Sequence, residues 1–183
     1  MRRLRYKAGA RRVALIVGAA IAVAACKQQG EVYDRPPAEI RDLLRTVEVP
    51  LYMFGNSTDT QVAVDSSDPA KVVWKISADD SPLMAFTATL VPNGETKTWV
   101  VVGIKGAETG KYKGMRAQLS KEKEVRNLYL VSMTEAVDST LDGRAYDITA
   151  TYSALMTATA ATAGRLFPLP SSGNGPSETE NRR

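Results

Sequence analysis

Two residue types that carry much of the catalytic and metal chemistry of proteins are scarce here, because the 183 residues include no histidine and one cysteine. Zinc, haem and copper sites depend largely on histidine and cysteine ligands, and histidine is the commonest general base. The composition therefore argues against these centres and against Ser-His-Asp or Cys-His catalysis, and we expect no metal and no cofactor. A single thiol also forms no internal disulfide, so the fold must depend on its hydrophobic core.

Acidic residues are missing from the first 25 positions, although six of the 24 lysine and arginine residues lie there. From Cys26 onwards, 18 basic side chains stand against 20 acidic ones, so the net charge is −2 in this part and +4 over the whole sequence. The basic character of the chain thus belongs to its first segment. No nucleic-acid partner is expected.

The apolar run that follows the basic segment is too short to cross a bilayer. It covers the thirteen residues 13–25, whereas a spanning helix takes about 20. A basic segment followed by a short apolar run and small residues is typical of a secretion signal. The run ends in Val23-Ala24-Ala25-Cys26, an aliphatic residue and two small ones before the cysteine.

These four residues resemble the lipobox of bacterial lipoprotein precursors, and the resemblance covers only the first 26 residues. It implies that residues 1–25 are a signal peptide and that Cys26 carries lipid, palmitate included, on a membrane of the cell envelope. Lys27 stands where an aspartate favours the inner membrane in enteric lipoproteins, which implies the periplasmic face of the outer membrane. An ordinary signal peptide, an uncleaved anchor and twin-arginine export through Arg11-Arg12 stay open as alternatives.

The part after the signal divides into a tether, one domain and a tail. Residues 26–35 are short and polar, as expected of a lipidated tether, and residues 168–183 have the composition of a disordered tail. Residues 36–167 are predicted to form a single globular α+β domain. Its predicted fold is a four-stranded antiparallel meander sheet with an N-terminal helix and two C-terminal helices packed on one face.

Hydrophobic periodicity places the elements of this domain. Helical spacing predicts helices over 37–47, 121–141 and 147–164. Asp142-Gly143 is expected to end the second of these helices, and Asp147 is a possible N-cap of the third. Alternation predicts strands over 61–65, 71–77, 83–91 and 96–105. Residues 147–164 also alternate in their first part, so a partly extended structure stays open there. The apolar stripe predicted for this last helix includes Ile148, Tyr152, Leu155 and Met156.

The register of the last two strands is predicted from Asn93-Gly94, because this pair favours a two-residue hairpin turn. Such a turn places Ala88 opposite Trp99 and Phe86 opposite Val101. Phe86 and Trp99 then lie on the buried face, where alternation also puts Trp74. Val100 is expected on the opposite face.

Three residues are candidates for catalysis. Ser120 begins an S-x-x-K pattern like that of the penicillin-binding proteins and serine β-lactamases, but the companion motifs are missing, and Ser120 is predicted to be the N-cap of the helix from Lys121. Asp138 and Asp142 share one face of that helix and could pair as carboxylates. This spacing is also common on solvated helices, so no catalytic residue is predicted.

The remaining polar groups are predicted to form turns and one candidate partner surface. Asp65 and Asp68, and separately Asp79 and Asp80, lie in loops too far apart to share a calcium ion and are interpreted as turn formers. Arg144 and Tyr146 form the candidate partner surface. Arg144 is also expected to pair with a carboxylate and fix the corner between two helices.

No family is recognised for the domain itself. We expect a non-catalytic, lipid-anchored envelope protein that binds or scaffolds another envelope component, a protein or a polymer. Two alternatives stay open. One is a hydrolase of envelope polymers that uses carboxylates only, and the other is a carrier of a small apolar ligand held between helices and sheet.

Overall fold

The computed structural model describes residues 30–54 and 59–166. The strands are β1 Gly30–Tyr33, β2 Thr60–Asp65, β3 Lys71–Ala78, β4 Ser81–Pro92 and β5 Thr98–Gly106. The helices are α1 Pro37–Leu44, α2 Met115–Lys121, α3 Lys123–Asp142 and α4 Ile148–Leu166, with a short 3-10 turn at Leu51–Phe54. The predicted signal peptide, Cys26 and the predicted tail lie outside the described residues.

The sheet is antiparallel and has five strands in the order β1-β5-β4-β3-β2. The α+β class and the meander from β2 to β5 are as predicted, but the prediction of four strands was wrong. The fifth strand is β1, whose residues 30–33 fall in the predicted tether. Four residues are too few to show alternation, and β1 is held by pairing with a strand far away in the chain, Gly30 with Val101 and Tyr33 with Thr98.

The core lies between one face of the sheet and the helices. β3 alternates between buried and exposed positions, so Val72, Trp74 and Ile76 share the buried face. Phe86 pairs with Trp74 across β3 and β4, and both are fully buried. We call this helix-covered side of the sheet the inner face and the other side the outer face.

The loop between β4 and β5 decides which side chains of β5 join that core. It contains five residues, 93–97: Pro92 pairs with Thr98, and the N–H of Asn93 donates to the carbonyl of Lys97 at 2.9 Å. The predicted turn had two residues, so the real register differs by three. Because side chains alternate along a strand, an odd shift moves every residue of β5 to the other face.

Trp99 is therefore not in the core, and this prediction was wrong. Its partners in the neighbouring strands are Val32 and Val91, on the outer face, and its side chain is 38% exposed. Val100 is 3% exposed on the inner face. Phe86 and Trp74 occupy the core as predicted.

The helix boundaries follow the predictions in part. Pro37 is at the start of α1, which ends at Leu44 and not at Val47. Gly143, with φ of 67°, ends α3 as predicted. Asp147 accepts hydrogen bonds from the N–H and hydroxyl groups of Thr149 at 2.9 and 2.6 Å, as expected of a helix N-cap.

Ser120 is not the N-cap of α3. It lies inside α2, and its hydroxyl donates to the carbonyl of Arg116 at 2.9 Å. The break falls at Glu122, whose φ of −98° and ψ of 75° separate α2 from α3. The S-x-x-K pattern therefore spans a helix end, and Ser120 has neither the capping nor the nucleophilic setting that the pattern suggested.

The two C-terminal helices do not both cover the sheet. α3 packs against β5 and α1, whereas the main packing partner of α4 is α3. The helices thus form two layers above the inner face. Within residues 30–54 and 59–166, none of the helices combines the length and apolar character that crossing a membrane would need.

Candidate functional site

Arg144 lies at the corner between α3 and α4, and its guanidinium group is held by Glu135. The distances are 2.5 Å from Nη1 to Oε1 and 3.0 Å from Nη2 to Oε2. Glu135 is only 8% exposed and also accepts the backbone N–H of Asp147 at 2.8 Å. The ion pair with Arg144 holds the pKa of Glu135 below its usual range. Arg144 therefore fixes the corner, as expected.

Tyr146 belongs to a cluster of four hydroxyl groups beside this corner. Its oxygen is 2.8 Å from that of Tyr52, which is 3.2 Å from the hydroxyl groups of Ser132 and Thr151. Burial raises the pKa of Tyr146. Since Tyr52 belongs to the 3-10 turn, the cluster ties that turn to both α3 and α4.

Arg144 and Tyr146 also line a small polar cleft of about 230 Å³. Thr46 and Glu48, which follow α1, form part of its wall. The two residues predicted as a partner surface thus lie together at one place. Their functional groups are bound to Glu135 and Tyr52, so they shape this surface more than they offer free hydrogen-bonding groups.

A second feature of this region is an apolar stripe on α4 that faces away from the core. Its members are spaced by three and four residues, at one helix face, and Tyr152 is 61% exposed. The α4 stripe consists of Ile148, Tyr152, Leu155 and Met156. A contiguous run of exposed apolar side chains on a helix is typical of an interaction surface.

The stripe is exposed because α4 packs on α3 through its small residues. Thr151, Ala154 and Ala158 are buried there, and Leu128 of α3 lies against the two alanines. The large apolar residues that predicted this helix therefore face away from α3. Thr and Ala residues spaced by three and four were the sequence signal for close helix packing. A hydrophobicity pattern gives them less weight than Ile, Leu and Met.

Asp138 and Asp142, the carboxylates considered for catalysis, each bind a different side chain. Asp138 accepts the hydroxyl hydrogen of Tyr33, which ties β1 to α3. Asp142 contacts Nε of Arg144 at 3.5 Å. Burial raises the pKa of Asp138, and the negative charge of Glu31 adds to this. The cleft between Glu31 and Asp138 holds only about 110 Å³, little room for a polymer.

Three of the four aspartates in the β2–β3 and β3–β4 connections form ion pairs with lysines. Asp65 binds Lys75 at 2.7 Å and Asp68 binds Lys71 at 2.9 Å. Asp79 binds Lys111, whose hydrogen bond and charge lower the pKa of that carboxyl. Asp80 has a φ of 56° in the turn. Over residues 30–54 and 59–166, no three His, Cys, Asp or Glu side chains come together as a metal site.

An apolar groove crosses the outer face near the β3–β4 turn. Lys75, Ala85 and Lys105 are neighbours in register there, and the groove has a volume of about 270 Å³. The alanine side chain gives the groove its depth between the two lysines. This is not the space between helices and sheet that the carrier hypothesis required.

Comparison with known proteins adds no function. No family model matches the sequence, and no curated protein matches it. The crystal structure of TTHA0849 from Thermus thermophilus is similar over 63% of this chain and 95% of that chain, with 12% sequence identity and a TM-score of 0.31. A TM-score this low supports no functional inference. The described residues form an α+β domain whose antiparallel sheet is covered by helices on one face.

Proposed function

We propose that this chain is a non-catalytic, lipid-anchored protein of the cell envelope that binds another envelope protein through the α4 stripe. The anchor is Cys26, and the expected location is the periplasmic face of the outer membrane. The observation that carries the proposal is the stripe itself, four exposed apolar side chains on one face of a helix.

The chemistry of the stripe favours a protein partner over a polar polymer. Ile148, Leu155 and Met156 offer no hydrogen-bonding groups, and polysaccharide binding relies on such groups. Large apolar side chains next to an aromatic one are the usual centre of a protein interface. The corner held by Glu135 and Arg144 fixes the start of α4, so the stripe is presented on a rigid support.

The anchor gives the first test. Cys26→Ser is expected to abolish incorporation of labelled palmitate and to leave the chain uncleaved, because the thiol is the acceptor of the lipid. Two or three acyl chains anchor a protein stably, since each buried CH₂ contributes about 0.8 kcal/mol. Labelling in cells, followed by membrane fractionation, measures both effects. Absence of label from the unsubstituted protein would contradict the lipoprotein proposal.

The stripe gives the second test. A photo-reactive residue at position 152 is expected to cross-link a specific envelope protein in cells, whereas one at Asp80, in the β3–β4 turn, is not. Met156→Lys is expected to lower the yield of that product at least about tenfold, because burying an unpaired charge costs more than about 1.4 kcal/mol. Quantitative mass spectrometry of the cross-linked product measures the yield.

Met156 is half exposed, so its replacement by lysine leaves the fold intact. An unchanged melting temperature for Met156→Lys therefore accompanies the loss of binding. If cross-linking from position 152 is no more specific than from position 80, or if Met156→Lys leaves the product unchanged, the stripe is not the binding surface.

A further inference from the structure

A second exposed apolar patch lies on the outer face of the sheet, where β1 begins. Val32 of β1, Trp99 of β5 and Val91 of β4 are neighbours across three strands. Together with Pro92 they line a shallow depression of about 300 Å³. We call these four residues the Trp99 patch. All three residues of the row are more than one third exposed.

The indole of Trp99 lies directly over Gly30, the first residue of β1. A Cβ atom at position 30 would overlap the indole Nε1 and lie 2.7 Å from the carbonyl oxygen of Val100. Glycine is thus required at position 30 for the indole to take this position. The place where the chain joins the sheet is therefore also the place where its exposed tryptophan lies.

The covalent chain limits how far this place can be from the lipid. Cys26 precedes Gly30 by four residues, and an extended chain spans at most about 3.6 Å per residue. Gly30 is then at most about 14 Å from the lipidated residue, about twice the depth of one headgroup layer. The surface around Gly30 is therefore the part of the described domain that the chain holds nearest to the lipid.

From this juxtaposition we propose that the Trp99 patch is the surface that rests on the lipid bilayer, an inference that depends on the proposed lipidation of Cys26. A tryptophan flanked by valines suits the membrane interface, because its ring is apolar and its indole N–H reaches the headgroups. The ion pair of Lys97 with Asp34, at 2.7 Å, gives the patch a polar rim. Glu31, by contrast, pairs with Val100 and lies on the inner face of β1.

This orientation agrees with the location of the α4 stripe. The helices cover the inner face of the sheet, and α4 lies on α3, away from the outer face. With the Trp99 patch on the bilayer, α4 is on the far side of the domain. The bilayer and the proposed protein partner then bind opposite sides of the molecule.

The test uses the lipidated full-length protein in vesicles of phosphatidylcholine brominated on its acyl chains. The protein has two tryptophans, and Trp74 is fully buried. Bromine atoms are expected to quench most of the Trp99 emission relative to unbrominated vesicles, so that the emission of the buried Trp74 remains. Trp99→Phe, which retains Trp74, is expected to lose this quenching. Val91→Glu is expected to reduce it, and Met156→Lys on α4 is expected to leave it unchanged.

Three other results would overturn the proposal. If the protein floats with the vesicles and carries palmitate but its quenching equals that of Trp99→Phe, the patch stands away from the bilayer while the anchor holds. If the protein neither floats nor carries palmitate, the anchor fails and the patch proposal fails with it. If the emission of Trp99 stays unchanged in pure lipid vesicles and shifts only after other envelope proteins are added to them, the Trp99 patch binds a protein and not the bilayer.

Discussion

Trp74→Ala is expected to lower the free energy of unfolding by about 3–5 kcal/mol, the usual cost of removing a fully buried aromatic side chain. Trp74 packs at the centre of the inner face opposite Phe86. Its indole N–H has no hydrogen-bond partner among the described residues, so its contribution is the volume that it fills. A domain of this size is stable by about 5–15 kcal/mol, and the variant is expected to be marginal. Urea unfolding followed by circular dichroism measures the change.

The other tryptophan is the matched control. Trp99→Ala is expected to cost about 1 kcal/mol or less, since its side chain is exposed on the outer face. Val100→Ala, on the inner face, is expected to cost more than Trp99→Ala, about 1–3 kcal/mol. A larger loss from Trp99→Ala than from Val100→Ala would mean that β5 has the register of the two-residue turn after all.

Glu135→Ala is expected to lower the free energy of unfolding by about 1.5–3 kcal/mol, because it removes charge-assisted hydrogen bonds from a nearly buried carboxylate. The N–H of Asp147 loses its acceptor, and Arg144 loses its bidentate partner. We expect the loss to appear first as faster amide hydrogen exchange at the start of α4. Exchange mass spectrometry of this helix and urea unfolding of the whole domain measure the two effects.

An exposed ion pair serves as the comparison. Glu108 contacts Lys105 at 3.3 Å with its side chain 42% exposed, so Glu108→Ala is expected to cost clearly less than Glu135→Ala. Equal losses from Glu135→Ala and Glu108→Ala would show that burial of the Glu135 carboxylate adds nothing to the corner.

The ion pair between Glu135 and Arg144 also makes the stability of the fold depend on pH. Arg144 lowers the pKa of Glu135 in the folded protein. The Glu135 carboxylate therefore stabilises the fold fully at any pH above its pKa in the unfolded chain, about 4.3. This stabilisation is lost as the pH falls through the lowered pKa of Glu135 in the folded protein. The difference in stability between the protein and Glu135→Gln is therefore expected to shrink below about pH 4. A difference that grows in acid would contradict this assignment.

The candidate site shows how far local reasoning extends. Arg144 and Tyr146 were found from their place between two helices, and pairing of Arg144 with a carboxylate was expected from the same place. That the carboxylate is Glu135, nine residues earlier on α3, required the folded corner. The α4 stripe was recognised as an apolar stripe of a helix, but its exposure was not predicted, because hydrophobicity alone does not show whether large or small residues face the neighbouring helix.

The sequence by itself determined the α+β class, the four strands from β2 to β5, the end of α3 at Gly143, the start of α4 after Asp147, and the buried faces of β3 and β4. These features follow from periodicity and from residues that cap or terminate an element, and such effects act over a few neighbouring positions. Only the tertiary structure decided that β1 joins the sheet, that β5 buries Val100 and exposes Trp99, and that α4 packs by its alanines. Each of these depends on a partner distant in sequence or on a loop length, and a shift of three residues in one hairpin was enough to exchange the two faces of a strand.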